Sequence, residues 1–530
     1  MPTPYQPIGS WATAIATWGV WAMFLWVVFL ILELRKRPDA PSFVSSLKLL
    51  THMWLAILIF IASKVADNHR DPVLILFIFL VTFRYYKTVV NVWIWFQYRP
   101  AVAPHDFTLS SADCTVVVPT VGTDGNDTFA EMVTGILYNR PSHLIFSTAT
   151  KEAEQRVLAA LPDIVQDLAS GNSTYLKERN ISTLVHQTEI KVINADISNK
   201  RKQVVNALQA VTTGITVFAD DSAIWHPKFL SATLPAFAND KVGFVGTRKW
   251  VKRLPRTTDA SLTWLQNAWK NYSSGFWNTM GALYLIRHNF EAQATNAADG
   301  GIFCVSGRTS LIRSSIVKDK LFQREFTNEY VIPWVFGGFG PVSADDDNFL
   351  SRWVINHGWT VTFQATQEAT MTTVLGKEGG NRFISQCERW SRTTFRQNPI
   401  TLFVDRTIWW KWPVTVWTTY LPWLYNAALF WDPLLISTLM HTNFYASSEH
   451  RGMLIAGMVA FIWASKLIKT APWFWKHPED FFLYFFPIPA YPMFAYRHSL
   501  LKVYTALTFW DLTWSGRKLP SPTVTAEKEK

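Results

Sequence analysis

The apolar residues of this chain are concentrated in its two ends, before residue 97 and after residue 400. A helix needs about 20 mainly apolar residues to cross a bilayer, so each end has room for several crossings. The first region, residues 1–98, predicts two to three membrane spans, at Ile15 to Leu32, at Leu49 to Ala66 and from Pro72 onward.

The third of these spans is interrupted by Arg84 and Lys87 before Val89 to Phe96 resumes the apolar pattern. We therefore expect a span followed by a helix in the membrane interface. The basic triplet Arg35-Lys36-Arg37 follows the first span, and basic residues favour the cytosolic side of a membrane. With three spans, that orientation places the middle of the chain in the cytosol.

The second apolar region predicts an interfacial helix over residues 399–411 and three to four channel-forming spans within residues 412–505. The candidate spans are Trp412 to Phe430, Leu434 to Tyr445, Met453 to Leu467 and Phe481 to Leu501. Residues 506–530 then form a tail whose end is rich in Pro, Ser, Thr, Lys and Glu, a composition typical of disorder.

Between the two ends, over residues 99–398, short β-branched runs alternate with segments of helical periodicity. This alternation predicts an α/β domain whose strands pair in parallel and bind ligands at their carboxyl ends. The predicted strands are Thr115 to Thr120, His143 to Thr148, Ile190 to Asn194 and Ile215 to Ala219, and the predicted helices are Phe129 to Tyr138, Glu152 to Leu168 and Lys200 to Val211.

Composition supports a soluble domain joined to a membrane portion. Hydrophobic residues make up 49% of the 530 positions and charged residues 17%, below the roughly 25% of an average soluble domain. The formal charge of +11 lies largely beside apolar runs, which favours juxtamembrane basic residues over a nucleic-acid partner. The three cysteines are far apart and lack metal-binding spacing, which indicates a reducing compartment.

Two blocks carry the chemistry of a phosphate and a metal ion. Asp220 and Asp221 end a predicted strand, where Mg²⁺ or Mn²⁺ bridging a diphosphate would be expected, although such a pair also serves as an ordinary loop or helix cap. Lys200 and Arg201 begin a predicted helix. They suit a phosphate or, alternatively, form a solvated basic turn.

Two later blocks carry the chemistry of a sugar hydroxyl. Gly300 to Arg308 places glycines at both ends of a β-branched and aromatic run, which predicts a strand with close backbone approach or, alternatively, a tight turn. Asp345-Asp346-Asp347 precedes an amphipathic helix, whose dipole favours one or two acids. Because three acids repel one another, we expect one raised pKa, as a general base requires.

Gln386, Arg389 and Trp390 are spaced so that they share one face of a helix. An amide, a cation and an indole on one face suit a sugar, a phosphate and a stacked ring. The alternative is an amphipathic helix anchored in the membrane interface by Trp390.

The order of these blocks resembles the processive family 2 glycosyltransferases. The nearest likeness is to hyaluronan synthases and related fungal membrane polysaccharide synthases, with cellulose and chitin synthases more distant. Trp514-Ser515-Gly516-Arg517 looks like the Trp-Gly-Thr-Arg type motif that hyaluronan synthases carry after their last span. The resemblance implies a GT-A domain attached to a transmembrane bundle, in a multi-pass protein of the plasma membrane whose catalytic domain is cytosolic.

The resemblance also implies a role for each matched residue. Asp347 would be the base and Asp346 its support, and Asp220 with Asp221 would hold Mg²⁺ or Mn²⁺. The nucleotide and diphosphate would be contacted by Pro119, Thr120, Lys200, Arg201, Gln386, Arg389, Trp390 and Arg517, and the acceptor and donor sugar by Cys304, Ser306, Gly307 and Trp390. The implied reaction polymerises a polysaccharide from a UDP-sugar, with inversion, and moves the growing polymer across the lipid bilayer.

The sequence departs from the family pattern at two places. The family usually has Asp-x-Asp at the metal strand, whereas this chain has Asp220-Asp221-Ser222. Many members also have an acid after the second strand, which Phe146 to Thr150 lacks. Two other functions remain open from the sequence, namely a non-processive transferase that moves one sugar to a lipid and a transporter with a cytosolic regulatory domain.

Overall fold

The computed structural model describes residues 71–331, 338–343, 345–377 and 379–512. These residues fall into two compact units. One comprises residues 98–416, 472–488 and 501–512 and contains the sheet. The other comprises residues 71–97, 417–471 and 489–500 and is helical.

The sheet of the first unit is mixed, and among the described residues it has nine strands. They are β1 Cys114–Thr120, β2 His143–Thr148, β3 Glu189–Asn194, β4 Ile215–Ala219, β5 Ile224–Trp225, β6 Val242–Val251, β7 Thr309–Arg313, β8 Thr360–Gln364 and β9 Thr370–Thr373. Their order is β3-β2-β1-β4-β7-β6-β9-β5, with β8 paired to β6. The pairs β3-β2, β2-β1 and β1-β4 are parallel, as the sequence predicts, while β7 runs antiparallel to β4 and β6.

Helices cover this sheet and supply the core that the strands require. All seven residues of β1 are buried, as expected for a parallel strand with both faces covered. Helices Phe129–Tyr138 and Lys151–Ser170 pack their apolar residues in the same cluster as Val116, Val118 and Phe146. The other helices of this unit are Thr174–Arg179, Lys200–Leu208, Phe229–Thr233, Trp264–Asp299, Ser314–Val317, Lys320–Thr327, Asp346–Asn356, Gly380–Pro399, Thr407–Lys411, Pro413–Thr415 and Pro478–Tyr484.

One predicted strand is wrong. The block from Gly300 to Arg308 is an irregular segment: Gly300, at φ 76°, ends helix Trp264–Asp299, and β7 begins only at Thr309. Part of its backbone is bonded to side chains of a helix, because Val305 N–H donates to Ser351 Oγ at 3.2 Å and Gly307 N–H to Asp347 Oδ2 at 3.2 Å. The Arg308 carbonyl accepts from the backbone N–H of Asp220 at 2.8 Å. The segment therefore contacts the helix Asp346–Asn356 and does not form the predicted strand.

The helical unit contains one helix, among the described residues, that is long and apolar enough to cross a membrane. It is Pro72–Trp95, which has 24 residues. It continues through Arg84 and Lys87, where the sequence predicts a break. Arg84 lies 4.0 Å from Asp432, which is also bound by Lys466 at 2.7 Å, and these contacts explain why a charge is accommodated within the helix.

The spans predicted after residue 411 are divided into shorter helices. The segments are Leu421–Tyr425, Ala428–Met440, Asn443–Ser447, Arg451–Leu467, Ala471–Lys476 and Ala490–Ala506, with π-helical turns at Ile400–Asp405 and Val416–Tyr420. None has more than 17 residues. Among the described residues the predicted bundle is therefore not confirmed, and the spans predicted before Pro72 lie outside those residues.

Candidate active site

An amine between two carboxylates lies at the carboxyl edge of the parallel strands. Lys200 Nζ is 2.9 Å from Asp220 Oδ1 and 2.9 Å from Asp346 Oδ2, and it also donates to the Gly307 carbonyl at 3.4 Å. Burial alone would lower the pKa of Lys200, but the charges of Asp220 and Asp346 outweigh burial and raise it. The amine is therefore held as a cation.

Three separate elements bring these groups together. Asp220 directly follows β4 and donates its backbone N–H to the Arg308 carbonyl at 2.8 Å. Lys200 begins the helix Lys200–Leu208, which Asn199 caps by accepting from Lys202 N–H. Asp346 begins the helix Asp346–Asn356, which we call the acidic helix. The cluster thus forms where one strand ends and two helices begin.

Asp347 lies beside this cluster with its carboxylate fixed in place. Its Oδ2 accepts from Gly307 N–H at 3.2 Å and its Oδ1 from Asn348 N–H at 2.9 Å. Burial, followed by the negative charge of Asp346, raises the pKa of Asp347. A carboxylate of raised pKa is suited to accept a proton near neutral pH, which is what a general base does.

Asp345, the first acid of the run, has a different role. The Asp345 side chain is fully buried, and it is bound by Arg396 Nε at 2.7 Å and Arg396 Nη2 at 2.9 Å, and by the Thr393 hydroxyl. Burial acts to raise the pKa of Asp345, but Arg396 outweighs it and lowers that pKa. Asp345 therefore joins the start of the acidic helix to the helix Gly380–Pro399.

We expect Asp345→Asn to lower the free energy of unfolding by about 3 kcal/mol at neutral pH, because it leaves the buried Arg396 charge without its acidic partner. Since the folded-state pKa of Asp345 is lowered, this stability is present above the ordinary aspartate pKa and is lost as pH falls through the folded value. The thermal unfolding temperatures of the parent and of Asp345→Asn should therefore become equal in acid. Asp163→Asn, on an exposed helix position, is the control; an equal loss at all pH values would contradict the prediction.

Asp221 and Asp220 offer carboxylates for a divalent cation. Asp221 Oδ2 accepts from the Thr120 hydroxyl at 2.8 Å, and the Asn126 amide donates to the Asp221 carbonyl at 2.7 Å. Among the described residues no group of three His, Cys, Asp or Glu side chains could hold a metal. One or two carboxylates nevertheless fit Mg²⁺ or Mn²⁺, because phosphate oxygens and water complete the coordination of these ions.

The helix Gly380–Pro399 presents an aromatic ring to the same region. The Trp390 ring lies 5.1 Å from that of Tyr284, and the Arg308 guanidinium carbon lies 5.1 Å from the Trp390 centroid. Gln386, Arg389 and Trp390 are all partly exposed, whereas Cys387 of the same helix is buried. An indole held by a cation and a phenol is a suitable platform for a sugar ring.

Comparison with known proteins gives the family. The family description "Glycosyltransferase like family 2" matches residues 112–393. A type 2 glycosyltransferase of Pyricularia oryzae is 32% identical over 82% of this chain and 80% of its own length. The chain belongs to glycosyltransferase family 2. The NDP-glycosyltransferase ltbB of Aspergillus luteorubrus is 26% identical over 63% of this chain and 78% of its own length.

A solved structure to which the chain is similar is a mannosyltransferase of Pyrobaculum calidifontis in complex with GDP-mannose and Mn²⁺. It is 12% identical, with a TM-score of 0.40, and the match covers 81% of this chain and 97% of that one. The mixed sheet of the 98–416 unit is the GT-A-like domain that the sequence predicts for a family 2 glycosyltransferase.

The structure brings most of the sequence-predicted site residues to this edge of the sheet. Pro119 and Thr120 are the last two residues of β1, and both are buried. Gly307 approaches the acids closely, since a Cβ on it would lie 3.3 Å from the Asp347 Cβ. Ser306 Oγ accepts from Arg308 N–H at 3.4 Å. Arg517, together with the Trp514-Ser515-Gly516-Arg517 motif, lies outside the described residues.

Arg201 is not brought to the cluster. Its guanidinium is buried, donating to Glu329 Oε2 at 2.7 Å and to the Phe326 carbonyl at 2.9 Å. Adjacent residues point about 100° apart on a helix, so Lys200 and Arg201 cannot both face the acids. Arg201 therefore links its helix to the segment around Glu329.

Cys304, which the sequence predicts to line the sugar pocket, is buried. Its thiol donates to the Val305 carbonyl at 3.4 Å, and burial, followed by the charge of Asp347, raises its pKa well above the ordinary value. The thiol is therefore protonated.

Sequence reasoning missed a buried pair behind this thiol. Lys249 Nζ lies 2.7 Å from His288 Nδ1, and burial lowers the pKa of Lys249 to about 7 and that of His288 to about 3. A lysine within β6 carries no motif that would have identified it. Arg308 was also missed as a Trp390 partner, although its place directly after Gly307 was a usable signal.

Proposed function

We propose that this family 2 glycosyltransferase is an inverting enzyme that transfers a hexosyl unit from a UDP-sugar to a hydroxyl of a growing polysaccharide. The observation that carries the proposal is the Lys200 cluster beside the anchored carboxylate of Asp347. A fixed cation suits the leaving diphosphate, and a carboxylate of raised pKa suits the acceptor hydroxyl.

In the proposed step, Asp347 takes the proton of the acceptor hydroxyl. The acceptor oxygen then forms a bond to the anomeric carbon from the face opposite the diphosphate, and the bond from that carbon to the diphosphate oxygen breaks with its electron pair. UDP leaves as an anion, and Lys200 stabilises its charge. Attack from the opposite face inverts the configuration at the anomeric carbon.

Asp220 and Asp221 would hold Mg²⁺ or Mn²⁺, which when bound supplies positive charge to the diphosphate. Asp346 keeps Lys200 between two acids and adds a negative charge that raises the pKa of Asp347. The Trp390 ring, packed against Tyr284 and the Arg308 guanidinium, would orient the terminal sugar of the acceptor. The described residues provide one long apolar helix, so the proposal is confined to polymer synthesis and does not include transport of the product.

The purified full chain should release UDP from one of UDP-glucose, UDP-N-acetylglucosamine or UDP-glucuronate when Mg²⁺ or Mn²⁺ is supplied. The radiolabelled product should remain at the origin of a gel, because a polymer migrates slowly. A single chloroform-extractable product would show transfer to a lipid and overturn polymer synthesis. Release of GDP from GDP-mannose alone would overturn the UDP donor, and no nucleotide release from any donor would favour the transporter.

A further inference from the structure

A second, basic cavity lies in the sheet-containing unit. It has a volume of about 830 Å³, and cationic side chains from four different segments line it: Arg179, Lys228, Arg248 and Lys476. Thr370 and Thr372 of β9, which pairs with β6, also line the cavity. A volume of this size is in the range of small-molecule sites.

The alternation of β6 separates this cavity from the candidate active site. Arg248 and Trp250 line the cavity, whereas Lys249 between them is buried against His288. Successive side chains of a strand point to opposite faces of a sheet. The cavity therefore lies on the face of β6 opposite Lys249, and none of the residues placed in the transfer reaction lines it.

Three of the four cations that line the cavity have no acidic partner among the described residues. Within the described part of the chain, Lys228, Arg248 and Lys476 form no ion pair with a carboxylate. The lining acid, Glu178, is engaged by Lys252 at 2.9 Å and lies 3.9 Å from Arg179. Concentrating positive charge without an anion is unfavourable, so the arrangement suits a ligand that brings negative charge.

Two of the cations are held on the same ring. The Arg248 guanidinium carbon and the Lys476 Nζ lie 5.1 Å and 5.0 Å from the centroid of Trp250, which itself packs against Trp473 at 5.5 Å. Arg248 is partly buried, and burial lowers its pKa. A pre-positioned guanidinium and ammonium on one indole form a fixed recognition pair for an anion.

We propose that this cavity binds a phosphate-bearing ligand through Arg248, Lys476, Lys228 and Arg179. A multiply charged phosphate matches several converging cations better than a single carboxylate, and the arginine fork matches its oxygens in pairs. The phosphate belongs either to a soluble molecule or to a lipid headgroup. This site goes beyond the proposed transfer reaction and does not depend on it.

Isothermal titration calorimetry of the full chain in neutral detergent micelles tests the proposal. The probes are inorganic pyrophosphate and, separately, mixed micelles containing phosphatidic acid or phosphatidylcholine. Both titrations use protein with Lys200→Met, so that binding at the transfer site does not obscure the result. Adding Arg248→Gln and Lys476→Gln should weaken binding of at least one probe about tenfold or more, since two charge-assisted contacts are lost. The matched control is Lys241→Gln with Lys320→Gln, which removes two exposed cations outside the cavity.

Loss of pyrophosphate binding in the double variant would identify a soluble ligand, and loss of phosphatidic acid binding alone would identify a lipid headgroup. Absence of binding by both probes, or equal binding by the double variant and its control, would overturn the proposal. With Lys200 intact, Arg248→Gln with Lys476→Gln should release UDP at the same basal rate as the parent. The binding proposal is tested by calorimetry and the transfer reaction by UDP release, so one can be wrong without the other.

Discussion

Asp347→Asn should reduce kcat for sugar transfer by about a thousandfold while leaving the protein folded. An amide cannot accept the acceptor proton, and general base catalysis typically contributes a factor of about 10² to 10⁴. The Asn side chain keeps the size of Asp347 and can still accept one of the hydrogen bonds now made by Gly307 and Asn348. Nucleotide release and polymer formation should fall together.

The pH dependence gives this prediction a second signature. Because the base must be deprotonated, kcat/KM of the parent should rise as pH rises through the raised pKa of Asp347. The raised pKa of Asp347 also affects stability. The free energy of unfolding should fall as pH rises from the ordinary aspartate pKa to the folded-state pKa, since over that range the folded protein binds more protons than the unfolded chain. Asp347→Asn should therefore unfold at an equal or higher temperature than the parent at neutral pH. Asp163→Asn is the control. If Asp347→Asn keeps more than about a tenth of the parent kcat, Asp347 is not the general base.

Lys200→Met should impair both stability and donor use. It leaves Asp220 and Asp346 without the cation between them, and we expect a loss of about 2 kcal/mol. This figure is below the value for a fully buried pair because the Asp220 side chain is 33% exposed. Without the cation at the diphosphate, kcat/KM for the donor should fall by about a hundredfold.

The stability and catalytic effects of Lys200 can be separated by Lys200→Arg. Arginine keeps a cation between the two acids, so it should recover most of the unfolding free energy measured by urea denaturation. It should recover donor use only in part, because its fork differs from a compact ammonium. Lys177→Met, on an exposed helix position, controls for the lost charge. Equal kcat/KM for Lys200→Met and the parent would exclude contact between Lys200 and the donor.

The strands of the parallel half could be predicted because each is a short buried run. His143–Thr148, Ile215–Ala219 and the helix Phe129–Tyr138 have the predicted bounds. The conformation of residues 300–308 could not be predicted in this way. Local β propensity does not reveal that side chains of a later helix accept hydrogen bonds from the backbone of this segment.

The site was predictable to the level of motifs but not of individual neighbours. The Lys-Arg dipeptide indicates a phosphate, yet helix geometry assigns Lys200 to the acids and Arg201 to Glu329. Asp220 and Asp346 are brought together by tertiary packing that no spacing along the chain encodes. The apolar runs after residue 411 predicted spans, but composition does not show where a helix ends, and the helix Ala428–Met440 has only 13 residues.

The pairing of Asp345 with Arg396 has a consequence for mutational screening. An alanine scan scored by product alone would find all three acids of the run to be essential, and would count three catalytic residues where the structure places only two beside the lysine. Loss of Asp345 would act by detaching the acidic helix from the helix that carries Trp390. Recording the amount of folded protein alongside activity would sort such a variant correctly, and the same precaution applies to Arg396 and Thr393.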